Sequence, residues 1–140
     1  MKVVIDTNVL MSGIFFGGVP GRVIEGWMDG SLELVLSPEI LDEYRRVGSE
    51  LGRRYPERAN ALTPVLTLIA MHASIVSAKP FALPVSADAA DDMFLAAAVA
   101  ADVTTVISGD RHLLDVTGWR GIAVVTPRQF VDQYLPRADS

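Results

Sequence analysis

Carboxylates are the side chains of this sequence whose placement could do chemistry. Asp6 closes the apolar run Val3-Val4-Ile5, and Asp110 lies in Ser108-Gly109-Asp110-Arg111-His112, just past Val103–Ile107. Glu43 stands in Pro38-Glu39-Ile40-Leu41-Asp42-Glu43-Tyr44, and Asp91 and Asp92 precede Met93-Phe94-Leu95. Four acids from four segments, drawn to one edge, would repel strongly and their pKa values would rise unless a cation bound. Hard oxygen ligands suit Mg²⁺ or Mn²⁺ rather than zinc. Such a site can activate water and steady the leaving oxygen of an in-line phosphoryl displacement.

Each acid also has a plainer explanation. Asp110 serves equally as the N-cap of a short helix through Leu113-Leu114. For Asp6 that explanation is weaker, because Thr7 and Asn8 could cap unaided. Glu43 borders the apolar stripe Ile40, Leu41, Tyr44 and Val47 on a wheel of about 100° per residue. It is thus the acid of its helix best able to reach inward, or an ordinary boundary residue. Asp88 and Asp91 resemble a capping box and suit the helix dipole. Asp92 shares a face with Leu95, Ala96 and Val99, where an unpaired carboxylate would be costly. Few basic residues are near it in sequence, which leaves metal as its expected partner.

These acids need a scaffold that delivers them together. Short apolar runs alternate with segments of helical period. Val3–Ile5, Leu32–Leu36, Ser74–Ser77, Val103–Ile107 and Ile122–Val125 read as strands, and Gly17–Gly21 as a loop. Ser37-Pro38 and Thr126-Pro127 each place a hydroxyl cap before a proline at the first helical position. Val23, Ile24, Trp27 and Met28 recur at helical spacing, as do Phe130, Val131, Tyr134 and Leu135. Ala89–Ala101 reads as an alanine-rich helix, and Pro64 argues against one continuous helix over Arg53–Ala70. Strand–helix alternation with continuous apolar strands predicts an α/β fold, a parallel sheet covered on both faces. Ligands of such sheets bind beyond the carboxyl ends of the strands, which is where Asp6 and Asp110 fall.

The bulk composition narrows the class. A chain of 140 residues fits one domain, expected over 1–136 with a frayed tail at 137–140. Cysteine is absent, which removes disulfides and thiol catalysis. His72 and His112 are too few and too far apart for a zinc site. No serine sits in a nucleophile elbow, and Gly17–Gly21 lacks both the dinucleotide pattern and the phosphate-loop lysine. The longest apolar run, Met93–Ala101, is far short of the roughly 20 residues of a membrane span. With no export signal, the expected location is the cytoplasm. The net charge of −5 opposes nucleic-acid binding at first sight, yet acids that hold metal are neutralised by it.

The stretches VVIDTNVLMSG, LELVLSPEILDEYRRV, DDMFLAAAVAADVTTVISGDRHLL and GIAVVTPRQF resemble the PIN-domain ribonucleases, nearly end to end. The match is close to the branch described as toxin components of toxin–antitoxin systems. Asp6, Glu43, Asp92 and Asp110 match the family's four acids; the 18-residue step from Asp92 to Asp110 favours Asp92 over Asp91. Thr7, Asn8, Ser37 and Ser108 fall where the family keeps small polar residues that support the acids, and Asp91 joins them. The resemblance implies a three-layer, doubly wound five-stranded sheet and Mg²⁺- or Mn²⁺-dependent cleavage of single-stranded RNA. It also implies dimers and a neutralising antitoxin protein. His112 stands where the family often carries a further acid or histidine, and Gly48–Pro84 carries no family motif.

Arg45, Arg46, Arg53, Arg54 and Arg58 form the dense basic stretch, either an RNA path or a solvated helix face; Arg111 beside Asp110 is a further RNA contact. Phe15-Phe16 is the aromatic pair expected to be exposed for base stacking or a partner, while Trp27 and Phe94 are expected in the core. A phosphatase with Asp6 as nucleophile would want an aspartate at position 8, where Asn8 stands, and a nearby lysine, yet the lysines are Lys2 and Lys79. A catalytically silent RNA- or protein-binding module would have no need of four mutually repelling acids.

Overall fold

A computed structural model describes residues 1–135. Strands β1 (Lys2–Ile5), β2 (Glu33–Leu36), β3 (Ser74–Ile75), β4 (Thr105–Ile107) and β5 (Ala123–Val125) form one sheet in the order β3-β2-β1-β4-β5. Every pairing is parallel. Val3, Val4, Ile5, Leu34, Val35, Leu36, Val106 and Ile107 are buried on both faces, as continuous β-branched and leucine runs require of a covered parallel sheet.

Seven helices accompany the strands among the described residues: α1 (Thr7–Phe16), α2 (Gly18–Met28), α3 (Pro38–Arg54), α4 (Leu62–His72), α5 (Asp92–Ala100), α6 (Arg111–Leu114) and α7 (Pro127–Tyr134). The chain winds outward from β1 to β2 to β3, then returns to lay β4 and β5 on the other side of β1. Right-handed crossovers therefore send the connections to opposite faces. The switch point lies between β1 and β4, so their carboxyl ends open the crevice where ligands bind in such sheets.

Local chemistry explains the element starts. Ser37 caps α3 by accepting from the Ile40 amide at 3.3 Å, with Pro38 at the first helical position. Thr126 and Gln129 complete a capping box on α7. Helix α5 lays Phe94, Leu95 and three buried alanines onto β1, β2 and β4.

Some boundaries differ from expectation. The loop foreseen over Gly17–Gly21 contracts to a break at Gly17, whose φ of +72° suits glycine. Helix α2 then starts at Gly18 and takes Pro20 into its first turn, where no amide hydrogen bond is lost. Likewise Arg53–Ala70 divides at Tyr55 into a 3₁₀ turn, Pro56–Ala61, and α4, with Pro64 in the first turn of α4. The expected fraying of 137–140 lies outside the described residues. Among the described residues, no helix is long and apolar enough to cross a membrane.

Candidate active site

The end of β1 is anchored from two sides, and the neighbouring end of β4 is tied to β5. The Asp6 amide donates to Ile107 O of β4 at 3.0 Å, and the Ser108 amide donates to Val125 O of β5 at 2.9 Å. The buried Tyr44 hydroxyl of α3 donates to Ile5 O at 2.5 Å. Asp6 is thus held at the switch point by backbone, and its side chain is held as well. One carboxylate oxygen accepts from the Val9 amide at 2.8 Å, which makes Asp6 the N-cap of α1. The other accepts from the Ser108 hydroxyl. Capping therefore falls to Asp6 itself and leaves Thr7 free inside the helix.

Ser108 joins two acid-bearing segments. Its buried hydroxyl donates to Asp6 and accepts from the Asp110 amide at 2.9 Å. Asp110 in turn caps α6 by accepting from the His112 amide at 2.7 Å. The cap explanation weighed for Asp110 holds, and a capping carboxylate keeps further lone pairs. Glu43, in the second turn of α3, accepts from Thr7 Oγ1 at 2.6 Å and from Arg46 Nη2 at 3.2 Å. Ser37 touches none of these acids through its cap, and Asn8 is exposed at the first turn of α1.

The family spacing favours Asp92 over Asp91, and the structure gives the two acids different surroundings. Asp92 is buried, but its two oxygens accept from the Val85 amide at 2.8 Å and the Ser86 amide at 2.9 Å. Backbone amides of the loop before α5 answer its charge, so Asp92 closes that loop. Asp91 ends the 3₁₀ turn Ala89–Asp91, one residue earlier, and is rotated from Asp92 accordingly. Its Oδ2 is buried with no hydrogen-bond partner among the described residues. The foreseen capping box does not form: Asp88 accepts from the Ala90 amide instead.

Electrostatics groups the acids. Burial pushes the Asp91 carboxyl up to about 7, helped by the charges of Asp110 and Asp88, by a carboxyl–carboxylate contact with Asp110, and by the charge of Asp6. Asp6 is also raised, chiefly by burial, against the lowering effect of its Ser108 and Val9 donors; Asp110 and Glu43 raise it further. Burial likewise raises the Tyr44 hydroxyl, with Asp6 and Glu43 adding to it. Tyr44 belongs to the site although its sequence signal was only that of a core residue.

Among the described residues, no three acids already converge to metal-ligating geometry. Asp6, Glu43 and Asp110 each accept from a protein donor. The donor set is nonetheless all oxygen, and Asp91 carries a buried oxygen with nothing bound to it. Both features fit a hard divalent cation. An open groove of about 290 Å³ runs beside Asp110, lined by Asn8, Ser12, Pro20 and Pro127. A larger apolar cavity of about 370 Å³, between Phe81, Pro84, Met93 and Ala96, touches Asp92 but none of Asp6, Glu43, Asp91 and Asp110.

The expected RNA-binding arginines divide. Arg45 lies 4.0 Å from Asp42, and Arg46 is shared between Glu43 and Glu50. Arg53, Arg54 and Arg111 are exposed, with no carboxylate within 4.0 Å among the described residues.

The sequence matches the PIN domain family model over residues 2–112, and the chain belongs to that family. PIN domains are generally nucleases and typically use divalent metals. No curated protein matches the chain.

Proposed function

We propose that this PIN domain is an Mg²⁺- or Mn²⁺-dependent endoribonuclease of single-stranded RNA, with Asp6, Asp91 and Asp110 as its metal-holding acids. The observation that carries this is the buried, unpartnered Asp91 oxygen, set against Asp110 and Asp6 at the β1–β4 switch point. Asp91 takes the part that the family spacing assigned to Asp92, because the oxygens of Asp92 are already occupied. Glu43, which accepts from Thr7 and Arg46 and adds to the raised Asp6 carboxyl, is the fourth acid of the set.

Held by these acids, a divalent metal would supply an activated water and offset charge on the scissile phosphate. Ser108 keeps Asp6 oriented and favours its ionised form. Thr7 holds Glu43 in place. Burial and the neighbouring acids favour the protonated form of the Asp91 carboxyl, and a bound cation would favour the ionised form. Arg111, exposed beside Asp110, is placed to meet phosphate.

The likeness to toxin components supports the finer assignment: a cytoplasmic toxin, working as a homodimer and silenced by a cognate antitoxin protein. The reaction is tested with a labelled single-stranded RNA in Mn²⁺, Mg²⁺ or EDTA, using wild-type protein and Asp6→Asn. Cleavage that requires metal and is lost in the variant is expected. Cleavage by Asp6→Asn at the wild-type rate, or undiminished in EDTA, overturns the proposal.

A further inference from the structure

Of the aromatic pair Phe15-Phe16, the structure buries Phe15 and leaves Phe16 51% exposed at the last position of α1. The Phe16 ring is not a lone surface hydrophobe. It meets Tyr55 edge-on at 5.3 Å and 82°, where Tyr55 ends α3. The Arg58 guanidinium lies 5.2 Å over the Phe16 ring, and that of Arg54 lies 5.5 Å over the Tyr55 ring. Arg58 also donates to Phe15 O at 3.4 Å, which fixes the 3₁₀ turn against α1. Two rings and two guanidinium planes thus make one surface.

Charge separates this surface from the rest of the chain. The net charge is −5, yet among the described residues Arg53, Arg54 and Arg58 have no carboxylate within 4.0 Å. The acids nearer the start of α3 are matched to Arg45 and Arg46 instead. A packing device for an aromatic pair would bury Phe16, whereas half of it remains open beside uncompensated cations. Aromatic faces with arginines are how proteins bind single strands without reading sequence: rings stack on bases and guanidinium groups follow the backbone.

The position fits a strand that also reaches the acids. Helix α1 runs from its Asp6 cap to Phe16, about 15 Å at helical rise, and α3 runs from Glu43 to Tyr55, about 18 Å. That is roughly four to five stacked nucleotide rises. We propose that Phe16, Tyr55, Arg54 and Arg58 form a base-stacking platform for single-stranded RNA, separate from the acids and several nucleotides along the strand from them. The RNA ligand rests on the nuclease assignment above, but binding at the platform needs no metal.

Binding is therefore measured in EDTA, where the strand stays intact, by fluorescence anisotropy of a labelled single-stranded RNA over a salt series. Phe16→Ala is expected to weaken binding about 5- to 150-fold, the range for loss of one stacked base, while Phe16→Trp holds wild-type affinity. Arg54→Gln is expected to reduce the slope of log affinity against log salt by about 0.7. Phe16→Ala affinity equal to wild type overturns the proposal, as does equal binding of a duplex of the same length. Unchanged RNA affinity with loss of self-association would assign the surface to a protein contact and also overturn it. Metal-dependent cleavage with no effect of Phe16→Ala on binding would remove the platform and leave the nuclease standing. Platform binding without cleavage would do the reverse.

Discussion

Asp91→Asn and Asp92→Asn are adjacent, isosteric changes, and the structure predicts opposite consequences. Asp92 accepts two backbone amides, from Val85 and Ser86, on a buried carboxylate. Asparagine can accept one and presents an NH₂ group to the other. Losing a charge-assisted bond and stranding a buried amide costs about 2–4 kcal/mol, a fall in Tm of roughly 10 °C at this length. Metal affinity should change little. Asp91 differs, because its carboxyl is pushed up to about 7 from an ordinary 3.8. A raised carboxyl contributes stability below its unfolded value and loses it as pH rises through the folded one. Metal-free wild type should therefore lose stability between about pH 4 and pH 7, and Asp91→Asn should lack that loss. The ceiling is about 4 kcal/mol; for a half-buried group, solvent screening brings it to about 1 kcal/mol. The same variant should bind Mn²⁺ more than about 100-fold more weakly. Thermal melts in EDTA across pH, with Mn²⁺ titrations by calorimetry, read both effects. Loss of Mn²⁺ binding in Asp92→Asn with an unchanged melt, and normal binding in Asp91→Asn, would refute the assignment.

Two further outcomes follow from the anchoring of Asp6, and a third from the close approach of α1 and α2. Ser108→Ala removes a donor that lowers the Asp6 pKa. It should move the acid limb of the pH–rate profile to higher pH and weaken metal binding about 10- to 100-fold; an unmoved acid limb would contradict this. Tyr44→Phe deletes the hydroxyl on Ile5 O and should cost about 1–3 kcal/mol in denaturant unfolding. Gly13→Ala would set a Cβ 2.5 Å from Ile24 Cδ1 and 2.9 Å from Pro20 O. Crowding at that close approach of α1 and α2 should cost about 1–3 kcal/mol, measured in the same way.

Much of the scaffold was legible in sequence, because its signals are local. Continuous β-branched runs announced the buried strands, and Ser37-Pro38 and Thr126-Pro127 marked helix starts that the structure reproduces. Asp6 and Asp110 could be placed because strand ends define the crevice of a parallel sheet. What stayed hidden depends on contacts distant in sequence or on rotation about a helix axis. Asp91 and Asp92 differ by roughly 100° around that axis, and their roles are decided by where the Val85 and Ser86 amides arrive. That loop carries no period or motif. Phe15 and Phe16 divide between core and surface for the same rotational reason, and Gly17 breaks α1 beyond them. Tyr44 reads as one more apolar position of α3 until its hydroxyl is seen on the carbonyl before Asp6.

The central claim is that the β1–β4 switch point is an oxygen-lined metal centre whose third acid is Asp91. Anomalous scattering from Mn²⁺-soaked crystals of the wild-type protein tests it most directly. A manganese peak within ligating distance, about 2.2 Å, of Asp6, Asp91 and Asp110 is the predicted result. A peak bound through Asp92, or none at the switch point under conditions that support RNA cleavage, would contradict it.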